Sequence, residues 1–148
     1  MIFREATLND IAQIQVVRNS VTENTLSDPA LVSDADCATY MTIRGKAWVC
    51  ELPQGIVGFA YVDLSANNVW ALFVQPGLDQ QGIGKTLHQI MLDWYFEQTE
   101  KTIWLSTSPG TRAETFYRLQ GWKEAGQYGK GETRFEMDPA TWQSRSKK

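Results

Sequence analysis

The sequence predicts an α/β chain of the α+β kind, one domain with a mixed, mostly antiparallel sheet of about seven strands flanked by about four helices. Three observations carry that prediction. Hydrophobic periodicity alternates between helical and extended in the order β, α, α, β, β, β, α, β, α, β, β. The turns between the three consecutive strand patterns, Pro53-Gln54-Gly55 and Ser65-Ala66-Asn67-Asn68, are short enough for antiparallel hairpins. One long amphipathic pattern precedes the fifth strand and allows that strand a parallel neighbour.

Each element has a local reason. Ile2 to Glu5 reads as a short strand, and Thr7-Leu8-Asn9-Asp10 caps a helix whose apolar face is Ile11, Ile14, Val17 and Val21. The polar run Thr22 to Pro29 interrupts the pattern. Ser33-Asp34-Ala35-Asp36 then opens a second helix carrying Cys37, Tyr40 and Met41, ended by Gly45. Ala47 to Leu52, Ile56 to Leu64 and Asn68 to Val74 are rich in Val, Trp, Phe and Tyr and read as a strand meander. A helix from about Gly82 to Gln98 places Ile83, Leu87, Ile90, Met91 and Trp94 on one face. Thr102 to Thr107 is the next strand, and Ala113 to Gln120 is a short helix closed by Gly121. Trp122 to Tyr128 and Glu132 to Met137 form the last strand pair, joined through Gly129-Lys130-Gly131.

The 148 residues, 43% hydrophobic and 11% aromatic, suffice for one core without metal or disulfide staples. No linker or internal repeat divides residues 1–148, and residues 143–148 form a basic, solvated C-terminal tail. A net charge of −3 and a pI near 5.1 argue against nucleic-acid binding. The same balance weakly favours a cationic ligand. Cys37 and Cys50 make no disulfide framework, and no Cys/His cluster has metal-ligand spacing, so no metal is expected. With no apolar run of membrane length and no signal segment after Met1, a cytoplasmic protein without membrane contact is expected. Edge strands near the C-terminal end leave room for a homodimer.

The segment richest in chemistry is Leu72 to Leu87, a strand, a turn and a helix start containing Gly82 and Gly84. The first amides of a helix lack internal partners and sit at the positive end of its dipole, so the turn suits a phosphate or pyrophosphate. A Rossmann fingerprint fails because its third glycine falls on Leu87. Gly84-Lys85-Thr86 matches the end of a P-loop, but Asp79 stands at that motif's first glycine.

A third reading is a family likeness. Gly82 and Gly84 match the small positions of the pyrophosphate motif Arg/Gln-x-x-Gly-x-Gly/Ala. Downstream, Ala113-Glu114-Thr115-Phe116-Tyr117-Arg118-Leu119-Gln120-Gly121-Trp122 resembles the signature Ala-x-x-Phe-Tyr-x-x-x-Gly-Phe, and Ala6-Thr7-x-x-Asp10 with Ile14 resembles the usual opening. Together these resemble the GCN5-related N-acetyltransferase (GNAT) family over most of the chain. Two positions depart from it: Asp79 replaces the Arg or Gln, and Gly110 replaces an Asn that often contacts the cofactor, a contact that is lost or passes to Thr111 or Arg112.

The resemblance implies acetyl transfer from acetyl-CoA to a primary amine of a small molecule or peptide, with CoA as product and no metal. It implies a cofactor cleft where the strand ending at Val74 splays from the strand ending at Thr107. Leu72, Phe73 and Val74 would line it, with Phe73 and Val74 offering backbone hydrogen bonds to pantetheine and the thioester carbonyl. Gln80, Gln81, Gly82, Ile83, Gly84, Lys85 and Thr86 would hold the pyrophosphate, and Thr107, Thr111 and Phe116 would complete the cofactor contacts. Tyr117 would be the catalytic acid that protonates the leaving thiolate. The loop between the first two helices, with Glu23, Asn24, Ser27 and Asp28, would border the acceptor, and Asp63 and Trp70 are further candidates there. His88, the only histidine, is expected to pack half-buried, Cys37 and Cys50 to act as small apolar residues, and Trp70, Trp94 and Trp104 to lie in the core. Two alternatives stand beside this reading: a catalytically degenerate acyl-CoA-binding regulator of the same fold, and a P-loop-like nucleotide-binding module.

Overall fold

A computed structural model describes residues 1–21, 32–78 and 80–146. Among them are seven strands and five α-helices, in agreement with the α+β class and the strand order read from the sequence. They fall into two compact units, Met1–Tyr95 and Phe96–Lys148.

In the first unit, β1 (Ile2–Glu5), β2 (Gly45–Leu52), β3 (Gly55–Asp63) and β4 (Asn68–Val74) pair antiparallel in chain order. Nearly every residue of β3 is buried because helices cover both faces of this sheet. α1 (Ile11–Ser20) and α2 (Asp34–Thr39) lie on one face, where Ile14, Val17, Cys37 and Met41 pack with Ala47, Val49, Phe59, Tyr61 and Ala71. α2 runs on into a π-helical turn, Tyr40–Arg44. α3 (Ile83–Gln98) lies on the other face and comes so close to β3 that a Cβ at Gly58 would stand 3.1 Å from Ile83 Cγ2 and 3.3 Å from Leu87 Cδ1. Ser33 caps α2 as its pattern predicts, accepting from the Asp36 N–H at 3.1 Å. Asp10 accepts from the Thr7 N–H at 2.7 Å and holds Arg4 bidentately at 2.8 and 3.0 Å, which fixes β1 to the start of α1.

In the second unit, β5 (Ile103–Thr107) and β6 (Lys123–Tyr128) both pair antiparallel with β7 (Glu132–Met137), giving the order β5-β7-β6. α4 (Arg112–Leu119) turns Tyr117 toward Phe135 of β7, with ring centroids 6.5 Å apart. Where a tail was expected over residues 143–148, residues up to Ser146 belong to a helix, α5 (Pro139–Ser146). Asp138 accepts from the Thr141 N–H at 2.7 Å, so an Asp cap followed by Pro at the first helical position starts this helix. Trp142 then buries its ring beside Phe96, and Arg145, instead of being solvated, donates to Gln120 Oε1 at 2.6 Å.

Two packing expectations are corrected. His88 is fully buried rather than half-buried. The core tryptophans are Trp48, Trp122 and Trp142, whereas Trp70, Trp94 and Trp104 are only part-buried. Trp94 and Trp104 lie beneath Lys46 and Arg134, whose cationic heads sit 5.3 and 4.4 Å from the ring centroids. Cys37 and Cys50 are free and buried, and burial pushes both thiols up from their ordinary value.

Candidate active site

The turn between β4 and α3 is the candidate phosphate cradle. Gln75 donates its N–H to the Val57 carbonyl at 2.7 Å, and a tight turn at Leu78 leads to Gly82, whose φ of +77° lies in the left-handed region. A Cβ there would meet nothing within 4 Å, so the backbone faces open space. The N–H of Thr86 returns to the Gly82 carbonyl at 3.0 Å and closes the first turn of α3. The N–H groups of Ile83, Gly84 and Lys85 precede any intrahelical acceptor. Gln80, Gln81, Lys85 and Thr86 are exposed around them, while the Ile83 side chain anchors the turn in the core. An open glycine cradle at a helix start, flanked by Lys85, fits a pyrophosphate in shape and charge.

Strand parity decides which backbone groups of β4 can reach a ligand. The register pairs Phe59 with Phe73 and Gly58 with Val74, and the Gln75 to Val57 bond makes 57–75, 59–73 and 61–71 the hydrogen-bonded pairs. Phe73 therefore directs its N–H and C=O to Phe59, contrary to the expectation that it offers them to pantetheine. Leu72 and Val74 direct theirs to the opposite edge. A register shift between Tyr61 and Val62 leaves Trp70 without a partner across the ladder. Its ring stacks on Tyr40 with centroids 4.0 Å apart and meets Tyr61 edge-on at 4.9 Å.

Asp63, also expected near the acceptor, holds its own hairpin together. Its Oδ2 accepts from Arg44 Nη2 and Nε at 2.7 and 3.0 Å, and its Oδ1 from the Ser65 and Ala66 N–H groups at 2.9 and 3.1 Å. Glu23, Asn24, Ser27, Asp28 and Asp79 lie outside the described residues.

Tyr117 and the remaining cofactor candidates belong to the second unit. Tyr117 is 7% exposed, edge-on to Phe116 at 5.3 Å and to Trp122 at 5.7 Å. Burial pushes its phenol above the ordinary value, so it holds its proton at neutral pH. Thr107 ends β5, buried, opposite Thr133. Thr111 is the cap of α4: its hydroxyl donates to the Ser108 carbonyl at 2.7 Å and accepts from the Glu114 N–H at 3.3 Å. Most of its bonding capacity thus serves the helix.

An acetyltransferase (GNAT) domain model matches residues 44–124, which include the glycine cradle and the Phe116-Tyr117 helix. The chain belongs to the GNAT acetyltransferase family. No curated protein matches the sequence significantly, but solved structures match the fold. A ribosomal-protein-alanine N-acetyltransferase from Brucella melitensis superposes with a TM-score of 0.74 at 20% identity, over 93% of this chain and 99% of that one. A PaiA N-acetyltransferase from Thermoplasma acidophilum, in complex with coenzyme A, gives 0.77 at 14% identity, over 93% and 98%. A phosphinothricin acetyltransferase from Sinorhizobium meliloti, in complex with AcCoA, gives 0.73 at 17% identity, over 93% and 87%. Family membership makes Gly84-Lys85-Thr86 the start of a GNAT helix and not the end of a P-loop. Among the described residues, no helix is long and apolar enough to cross a membrane.

Two features escaped the sequence reading. The outward direction of Leu72 and Val74 follows from hairpin register, which the alternation of residues does not fix. The position of Arg18 over the Phe73 ring, 4.8 Å from its centroid, carries no sequence signal, because an arginine on an amphipathic helix ordinarily reads as solvated.

Proposed function

We propose that this GNAT-family protein is an N-acetyltransferase that moves the acetyl group of acetyl-CoA to a primary amine by direct attack on the thioester. The observation that carries the reading is the open backbone at Gly82 in front of the first amides of α3. Ile83, Gly84 and Lys85 would hold the pyrophosphate through their N–H groups, and the Lys85 ammonium would add charge. Leu72 and Val74 would hold the pantetheine arm, with the Val74 N–H on the carbonyl oxygen as it gains charge during attack. Acetyl-CoA, when bound, supplies an acetyl group activated as a thioester.

In the transfer, the bond from the amine nitrogen to the acetyl carbon forms, the carbon–sulfur bond breaks, and the proton that the nitrogen gives up ends on the sulfur, so that CoA leaves as the thiol. Tyr117 would offer its proton to the leaving sulfur. A thiol ordinarily titrates near 8.5 and the buried phenol above 10, so full transfer from Tyr117 runs uphill. Its contribution is a hydrogen bond to the sulfur as charge develops there. The two buried free cysteines support a reducing compartment, the cytoplasm.

Isothermal titration with acetyl-CoA, with CoA and Mg-ATP in parallel, tests the reading. Saturable binding of both CoA species without ATP binding is expected, followed by thiol release with primary amines. No acetyl-CoA binding by folded protein overturns it. Binding without turnover on any amine would point instead to the degenerate regulator.

A further inference from the structure

We propose that Arg18 selects the acceptor, and that the acceptor amine carries a carboxylate which the Arg18 guanidinium binds. The inference rests on the acetyltransferase reading and adds the substrate class. Arg18 lies on the last turn of α1 and its guanidinium covers the Phe73 ring. Its Nε is sealed from solvent and has no hydrogen-bond partner among the described residues. Among the described residues, no carboxylate acts on it; only burial and the Cys37 thiol do, and burial pulls it below its ordinary value. Other arginines of the same unit differ: Arg44 is bound to Asp63 at 2.7 Å and Arg4 to Asp10 at 2.8 Å.

One turn earlier on α1, Gln15 Oε1 is also buried without a partner, while its Nε2 donates to the Val32 carbonyl at 2.8 Å. A donor and an acceptor three residues apart share a helix face. Gln15 Oε1 is sealed, so a ligand's anion is met by the part-buried Arg18 side chain. Phe73 adjoins Phe59, and Phe59 and Trp70 each meet Tyr61, so the guanidinium borders a wall of rings that lowers the local dielectric. A guanidinium there binds a carboxylate strongly, through two parallel bonds. Phe73 stands between Leu72 and Val74, the residues assigned to the thioester arm. An anion held above its ring therefore ties the acceptor to the strand where the amine attacks.

The test uses matched pairs of N-acetyl amino acids and their carboxamides as product-like probes. Each is titrated into the wild-type protein with CoA present, and into Arg18→Met and Arg18→Lys, with thermal unfolding as the control for folding. The acid is expected to bind at least about tenfold more tightly than the amide. Arg18→Met should abolish that preference and Arg18→Lys restore part of it, with CoA affinity unchanged in both. Thiol-release kinetics on the free amino acids and their amides should show the same preference in KM. Equal binding of acid and amide by the wild type, or no binding of either, overturns the inference, as does a preference that survives Arg18→Met. If acetyl-CoA itself does not bind, the acetyltransferase reading fails, and the probe titrations without CoA still decide whether Arg18 binds a carboxylate.

Discussion

The backbone N–H of Trp122 donates to the carbonyl of Tyr117 at 3.1 Å, while Gly121 donates to Arg118 at 3.1 Å with φ at +95°. These two bonds are the Schellman closure of α4, and they give the Phe-Tyr-x-x-x-Gly-Trp run a physical meaning. The glycine takes the left-handed position, and the following Trp returns its ring to the edge of Tyr117, 5.7 Å away. The signature thus fixes the phenol in place. Tyr117→Phe keeps the ring packing and removes only the hydroxyl, so kcat should fall by about 10²-fold, the low end for a positioned acid, with acetyl-CoA affinity unchanged. Gly121→Ala should instead destabilise by about 1 kcal/mol through backbone strain. Steady-state kinetics and thermal unfolding on the two variants separate the acid from its support.

The two glycines of the cradle should respond in opposite directions. Gly82 has φ of +77° in open space, so Gly82→Ala meets no clash but strains the backbone by about 1 kcal/mol and puts a methyl where, in the proposed complex, the phosphates would approach. Its CoA affinity should drop more than tenfold. Gly84 lies within α3, and a Cβ there would sit 3.6 Å from Val74 Cγ2, an ordinary contact. Gly84→Ala should therefore stabilise the protein by about 0.5–1 kcal/mol and change CoA affinity little. Calorimetric titration of both variants checks the pair, and equal losses would mean that the cradle does not bind phosphate.

Most of the architecture was legible because its signals are local. Hydrophobic period distinguished helices from strands, and the short turns fixed the meander. α5 was missed because its apolar pattern is carried chiefly by Trp142, yet Asp138-Pro139 was a readable cap. The tryptophans were misplaced for a different reason. The periodicity of a helix or strand shows which residues share a face but not how deeply each lies. The cradle was legible because glycine at a helix start is a local requirement. Arg18 was not, because its environment comes from Phe73, 55 residues away in sequence and brought near only by the packing of α1 on β4.

The carboxylate of Asp63 illustrates how the structure separates support from recognition. With four donors on its two oxygens, it joins the end of β3 to Arg44 and to the turn at Ser65 and Ala66. Asp63→Asn replaces one acceptor oxygen by a donor and leaves these partners badly matched. The Tm should fall by several degrees, while KM for the acceptor in the folded fraction stays within about twofold. A large rise in KM at unchanged Tm would return Asp63 to the acceptor site.

Asp10 supplies part of the acid dependence of the fold. The Arg4 guanidinium, held at 2.8 and 3.0 Å, lowers its carboxyl below the ordinary value of 3.8, and the Thr7 N–H acts in the same direction against burial. Because the folded state favours the ionised carboxylate, the unfolded chain binds the proton more readily. The stabilisation is present in full above the unfolded pKa and is lost as pH falls through the folded one, so its window lies below about pH 4. The Arg4 side chain is 34% exposed, and solvent screening reduces the worth of the pair to about 1–2 kcal/mol. Asp10→Asn should lower stability by about that amount at pH 7, and the gap to the wild type should close as pH falls below 4. Denaturant unfolding of both proteins at pH 7 and pH 3 measures it; a gap that stays constant would show that Asp10 acts through packing and not through its charge.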